Sequence, residues 1–304
     1  FGSGPVQARL GEIGAGNASA VVRSALGGLQ IELLSEAYHI LKSGIRASHD
    51  EMRTVFAQWN AGELADPLLV ATADALGLRD EDGEPLIEKV LDAAPAFGAC
   101  SEAASFALAS GAPAMMLAQA AASSALAARK DERVDASAVL GGPKPAQTGE
   151  RQAMVEELRR ALLAATILAI GESFALLRHG SETRGLGIDL ARAAKLWAAS
   201  GESRMLSRAA AALERTGGRG SLLLDASFKP DLDQSLPSLR RVTVRALEGG
   251  IPVPAFSSAL GFYDSYRSTW LPANLSNALK DSLLGLGFER VDRPRGELFH
   301  SDWR

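Results

Sequence analysis

Apolar positions recur at spacings of three and four along nearly the whole chain, the period of an α-helix with one buried face. Val21, Val22, Leu26, Leu29, Leu33 and Leu34 form one such face, predicting a long helix from Asn17 to about Leu41. Ser48-His49-Asp50-Glu51 reads as an N-cap followed by first-turn acids, which opens a second helix running through Trp59. Asp80-Glu81-Asp82-Gly83-Glu84-Pro85 is a turn, and the segment from Gly141 to Gln147, rich in Gly and Pro, is a loop. Between them, Cys100 to Arg129 is almost entirely Ala, Ser, Leu and Met, broken at Gly111-Ala112-Pro113. Small residues at that density let helices approach closely, so this region is expected to be buried. A second long helix follows from about Glu150 to Leu177.

No stretch alternates with the period of a strand, so the fold class expected is all-α. Two long helices, each preceding a set of shorter ones, predict an internal duplication, although no strong residue-level repeat stands out. From Gly287 to Arg304 the helical period stops, yet the segment ends in Leu298-Phe299-His300-Ser301-Asp302-Trp303. Aromatic residues on an irregular tail need a place to dock, either on a partner subunit or on the chain's own surface.

With 47% hydrophobic residues in 304, the core can be large. The net charge of −4 and the lack of a basic stripe argue against nucleic acid as a partner. Ala118–Ala128 is too short and too weakly apolar to cross a bilayer, so no membrane association is expected. A lone cysteine, Cys100, excludes an internal disulfide and fits a reducing compartment. A cytoplasmic location is the expectation, with no signal peptide at the start. Phe1-Gly2-Ser3-Gly4-Pro5 reads as the scar of a cleaved tag, which makes residues 1–9 a tag remnant or a disordered start.

Several segments together resemble the C-terminal domain of 6-phosphogluconate dehydrogenase. They are Ser35-Glu36-Ala37-Tyr38-His39, Asp50-Glu51-Met52 through Trp59-Asn60, Lys130-Asp131-Glu132-Arg133, Gly250-Ile251-Pro252-Val253-Pro254-Ala255-Phe256 and Phe262-Tyr263-Asp264-Ser265-Tyr266-Arg267. The tail, Glu289-Arg290-Val291-Asp292-Arg293-Pro294 with Phe299-His300-Ser301-Asp302-Trp303, fits as well. The matches are colinear from about Leu10 to Arg304. The resemblance implies a helical domain over residues 10–286 and a tail, 287–304, that docks on a partner subunit. It also implies an enzyme that oxidises and decarboxylates a phosphorylated sugar acid with NADP, its nucleotide held by an N-terminal Rossmann domain.

These 304 residues depart from that pattern twice. Gly14-Ala15-Gly16-Asn17 is the one tempting glycine cluster, but it follows no strand and aligns with the joint before the family's first long helix, so no cofactor site is expected. The positions that the resemblance assigns to chemistry have also changed. The general-base lysine falls on Ala20, the histidine and asparagine on Arg23 and Ser24, and the acid glutamate and its tyrosine on Gly27 and Gly28. The segment that binds the phosphate end reads Cys100-Ser101-Glu102-Ala103; one arginine falls on Ser124, and the late histidine on Leu286. Arg267 alone keeps a phosphate-binding residue. Proton transfer needs groups that titrate within reach of the substrate, so no 6-phosphogluconate dehydrogenase activity is expected.

The substrate-binding set left by this comparison is Arg23, Ser24, Gly27, Gly28, Ser124 and Arg267. Gly27 and Gly28 either open space for a bulkier ligand or admit a close-packed helix. Arg23 either takes an anionic group or makes a surface salt bridge. Glu102 and Glu172, each among apolar neighbours, are the candidate catalytic bases if burial raises their pKa; the alternative for both is a paired structural acid. The histidines, His39, His49, His179 and His300, lack metal-ligand spacing, and no metal is expected.

Three functions stay open. One is a non-redox catalyst of bacterial secondary metabolism acting on a small molecule, such as an intramolecular displacement that closes an aziridine ring. Another is a catalytically dead subunit that stabilises an active paralogue. The third is a fragment of a divergent NADP-dependent dehydrogenase. Each is compatible with a homodimer or a heterodimer.

Overall fold

A computed structural model describes residues 8–93, 98–145, 150–199 and 201–303. Among them lie twelve α-helices and no strand, in agreement with the all-α expectation. The opening residues 1–7 and part of the loop after Gly141 fall outside the described residues. The chain divides into two compact units, Phe1–Phe262 and Tyr263–Arg304.

The first unit is organised by two long helices. Helix α1 runs over Ala15–His39 and continues into a π-helical turn, Ile40–Gly44. Gly44 lets α1 come close to Ile251, whose Cδ1 would stand 3.2 Å from a Cβ there. Helix α2, His49–Asn60, starts at the predicted N-cap, which the structure completes as a capping box: Glu51 N–H donates to Ser48 Oγ at 3.3 Å, and Ser48 N–H donates to Glu51 Oε2 at 2.7 Å. Helix α3 is Pro67–Gly77, with Asp66 as its N-cap. The Asp80–Pro85 turn closes with Gly83 at φ 82°, a conformation that favours glycine.

The small-residue region becomes two helices, α4 (Gly98–Ser110) and α5 (Met115–Ala127), separated at Gly111, whose φ is 73°. Their burial is one-sided rather than complete. Cys100, Ala103, Ala107, Met116, Leu117 and Ala120 are buried, whereas Leu108 and Leu126 face outward. Helix α6 spans Lys130–Val139.

Helix α7, Arg151–Arg184, is longer than the sequence pattern implies because its final turns are polar and end only at Gly185, in the left-handed region at φ 63°. Its middle is buried almost without interruption from Ala161 to Phe174. It is the one described helix long and apolar enough to cross a bilayer, but 89% of the qualifying window is buried inside the protein, as in a core helix. Helix α7 packs along α1 and along α10 (Lys229–Glu248), with α8 (Leu190–Ala199) and α9 (Arg204–Thr216) paired beside it. Arg241 and Arg245 of α10 both reach Glu157 of α7, at 2.7 and 3.2 Å. Such part-exposed ion pairs contribute little, so apolar packing carries this interface.

Helix α11, Pro254–Arg267, leads out of the first unit. The second unit contains α12, Ala273–Leu284, and the tail, in which Phe288 and Phe299 pair backbone to backbone at 2.9 Å in both directions. The unit is tied together by one side chain. The Asp281 carboxylate accepts hydrogen bonds from Gly287 N–H, Ser301 N–H and Trp303 Nε1–H, and lies 2.7 Å from His300 Nδ1. These donors, led by Trp303, hold its pKa down at about 2. On the opposite side, Leu275, Leu279 and Leu283 are exposed at the spacing of one helix face.

An acid with a depressed pKa stabilises its surroundings above its ordinary pKa and loses that contribution as pH falls toward the depressed value. Protection of the Gly287 and Ser301 amides against hydrogen exchange should therefore persist down to about pH 4 and collapse as pH approaches 2. Asp281→Ala should remove it at neutral pH. Unchanged protection in that variant would show that the tail is held by other contacts.

Candidate functional site

The site residues expected from the sequence distribute over five helices, α1, α4, α5, α7 and α11, and both units. On α1, the outward strip contains Ala20 and Ser24, both exposed, with Gly27 and Gly28 half-buried. Arg23 sits at the edge of this strip. Its Nη1 lies 3.6 Å from where a Cβ of Gly27 would stand, so the space over Gly27 is occupied by the guanidinium one turn earlier rather than open. The Arg23 Nε is buried and has no hydrogen-bond partner among the described residues. Burial lowers the Arg23 pKa from its ordinary value, and the negative charge of Asp66 opposes the shift. An orphaned guanidinium nitrogen is costly unless something satisfies it.

Ser124 is half-buried on α5. Arg267 belongs to the second unit, where its Nε lies 3.3 Å from Asp264 Oδ1 and its guanidinium stands 5.7 Å from the centroid of the Tyr263 ring. Glu102 is exposed on α4 rather than buried, because the buried face of that helix is carried by Cys100, Ala103 and Ala107. Cys100 is buried with its Sγ 3.5 Å from the Ala25 carbonyl oxygen, and burial pushes its thiol up to about 11, which leaves it inert at neutral pH.

Glu172 lies in the middle of α7 with no exposed surface. Its carboxylate accepts from the Met116 N–H (3.0 Å) and the Leu117 N–H (3.1 Å), the first turn of α5. Burial pushes its pKa up to about 7 against the pull of those donors. Both oxygens are engaged in capping a helix, the arrangement of a structural acid.

A second carboxylate does the same, and sequence reasoning passed it over. Glu36, buried on α1, accepts from the Ala255 N–H (2.6 Å) and the Phe256 N–H (3.0 Å) at the start of α11. Burial, reinforced by the charge of Glu32, pushes its pKa up to about 8. The two clamps are equivalent parts of one duplication. Ile31, Glu36, Leu41 and Gly44 match Ile167, Glu172, Leu177 and Gly180 at one constant offset, and each capped helix follows a Gly-x-Pro, at Gly111 and at Gly250. That offset is the signal that would have revealed Glu36 and the structural part of Glu172 together. A third half-buried acid, Glu32, accepts from the Gln119 side chain at 2.9 Å, and burial raises its pKa.

A groove of about 460 Å³ opens beside the first turns of α1, lined by Asn17 and Val21, with Glu102 and Phe106 of α4 and Arg184 of α7 facing them. Among the described residues, no group of three His, Cys, Asp or Glu is placed to hold a metal ion.

The architecture defines an all-helical domain built on two duplicated long helices, with a strip of Ala20, Ser24, Gly27 and Gly28 along the outer face of the first. The chain belongs to the family of the 6-phosphogluconate dehydrogenase C-terminal domain, whose profile matches residues 24–303. It is 36% identical to the decarboxylating 6-phosphogluconate dehydrogenase of Haemophilus influenzae over 296 residues, and 36% identical to that of Rattus norvegicus over 297. Each alignment covers 97% of this chain and 61% of the relative, so the chain spans well under two thirds of their length. A solved structure of the Plasmodium falciparum 6-phosphogluconate dehydrogenase superposes with a TM-score of 0.91 at 26% identity, covering 97% of this chain and 64% of that one.

Glu172 provides a pH test. A carboxyl whose folded pKa is raised favours the folded state fully below its ordinary pKa and loses that contribution as pH rises through the raised value. Unfolding free energy should therefore fall between about pH 4.5 and pH 7 more steeply in the parent than in Glu172→Gln, measured by denaturant titration across that range. Parallel profiles would show that the clamp carboxyl titrates normally.

Proposed function

We propose that this domain is a reworked member of its family that binds a small anionic molecule without carrying out the family's proton transfer, and that it works as one subunit of a dimer. The observation that carries this reading is the α1 strip. Where the resemblance places a base, an acid and their partners, the chain has Ala20, Ser24, Gly27 and Gly28, none of which titrates. The charge that remains there is Arg23, whose unpartnered Nε would gain a charge-assisted bond from a carboxylate, sulfate or phosphate oxygen. Ser24, next to Arg23 on α1, and Ser124 on α5 are the further candidate contacts of this reading.

The finer reaction that suits such a site is non-redox: an intramolecular displacement, such as aziridine closure in bacterial secondary metabolism. An amine nitrogen attacks carbon, the bond from carbon to an anionic leaving group breaks, and the nitrogen proton passes to a base. Arg23 would receive the departing anion, and of the two candidate bases the exposed Glu102 is free to act, whereas Glu172 is engaged as a helix clamp. The partner is a homologous subunit, identical or paralogous; the exposed Leu275, Leu279 and Leu283 of α12 favour a covered surface there. In the heterodimeric form the chain would support an active paralogue without turning over substrate itself. A second reading, a piece of a longer and divergent dehydrogenase, is favoured by the 61% share of the relatives that the chain spans.

Purified protein mixed with 6-phosphogluconate and NADP should give no NADPH absorbance, and light scattering should give a dimer of the 31.8 kDa chain, alone or with its paralogue. Inorganic sulfate should raise the melting temperature of the parent and leave Arg23→Gln unaffected. Turnover of 6-phosphogluconate would overturn the proposal in favour of the dehydrogenase reading, and a monomer in every setting would overturn the subunit assignment.

A further inference from the structure

The groove beside the start of α1 carries two opposite charges that enter no ion pair among the described residues. Glu102 and Arg184 both line it. Among the described residues neither forms an ion pair, with the other or with anything else. Elsewhere in the first unit Lys195 is paired with Glu214, and Arg159 with Glu63 and Glu156.

The groove is also preformed. The Arg184 guanidinium is laid over the Phe106 ring at 5.1 Å from its centroid, which fixes its direction. Phe106 can lie against α7 only because residue 180 is glycine: a Cβ there would stand 2.2 Å from the ring. The chain before α1 is held in a similar way. Gly11 passes so close to Leu186 that a Cβ would meet the carbonyl oxygen at 2.4 Å, and the Glu12 N–H donates to that same oxygen at 2.8 Å. The wall containing Gly14 and Asn17 is thereby pinned to the end of α7.

Opposite charges held on separate helices, with an aromatic face between them, match a ligand that carries both signs. We propose that this groove is a binding site for a small zwitterion of the amino-acid type, its anionic group on Arg184, its ammonium on Glu102 and its apolar part against Phe106 and Val21. The Asn17 amide and the Ser105 hydroxyl, which also line the groove, can donate to the anion and accept from the ammonium. A volume of about 460 Å³ lies in the range of small-molecule sites. This site does not use Arg23, which projects from another side of α1; it shares only Glu102 with the reaction proposed above, so loss of L-phenylalanine binding in Arg184→Gln tests it separately.

Isothermal titration of the intact chain tests it with three probes: L-phenylalanine, N-acetyl-L-phenylalanine, which lacks the ammonium, and L-phenylalanine amide, which lacks the carboxylate. L-Phenylalanine should bind saturably with a Kd of about 1 mM or tighter. Each blocked compound should bind roughly tenfold more weakly. Arg184→Gln should bring L-phenylalanine to the level of its amide, and Glu102→Gln should bring it to the level of the N-acetyl compound. Both substitutions are at exposed positions, and unchanged melting curves would show that the fold is retained. No saturable binding of L-phenylalanine, equal binding of all three probes, or indifference to both substitutions would overturn the proposal.

Discussion

A carboxylate in an apolar interior persists only if hydrogen-bond donors replace the water it has lost. This fold meets that constraint twice with the same device. Glu36, in the last turn of α1, and Glu172, within α7, each receive two backbone N–H groups from the first turn of a shorter helix. The unsatisfied N–H groups and the positive end of the helix dipole supply what the carboxylate needs. The exchange is reciprocal. The acid of α1 caps α11, which follows the second long helix, and the acid of α7 caps α5, which follows the first. Each half of the duplication therefore completes the other, one clamp near the C-terminal end of α1 and one within α7.

Those clamps leave the outer strip of α1 free of any part in holding the helix in place. The buried face of α1, with Val22, Leu26, Leu29 and Leu33, and the clamp at Glu36 fix the helix without help from Ala20, Ser24, Gly27 or Gly28. Glycine in a helix interior costs about 1 kcal/mol relative to alanine, a cost that a 25-residue helix packed against α4 and α7 can absorb. Scaffold and strip are in this sense separable, and a TM-score of 0.91 to a relative only 26% identical is the expected result.

The elements themselves were legible because their signals are local. Ser48 and Glu51 announce an N-cap with its first-turn acid, Gly83 a turn, and the break between α4 and α5 is written in Gly111 and Pro113. What escaped was set by contacts distant in sequence. Periodicity marked Glu172 as a polar residue on an apolar helix but could not show that α5 would arrive to cap it. Glu102, surrounded in sequence by alanines, looks buried until the helix is placed, when Ala103 and Ala107 turn inward and the acid turns out. The polar last turns of α7 carry no apolar period, so its true end was visible only as Gly185. Gly27 reads as missing volume, yet that volume is filled from the same helix by Arg23.

The two uncompensated guanidinium groups near α1 differ in a way that bears on what each can do. Arg23 is largely buried, its Nε sealed from solvent, and an anion could reach that nitrogen only if the side chain left its place over Gly27. Binding there must include a rotamer change, so the ligand would have to offset the loss of that packing. Arg184 is exposed and already oriented by Phe106. Binding there needs no rearrangement, and the cost of immobilising the side chain has largely been met by the aromatic contact. Affinity at the groove should therefore follow charge complementarity and salt, while affinity at Arg23 should follow how readily the strip opens. One anion contact is thus preformed, at the end of α7, and the other adaptive, on α1.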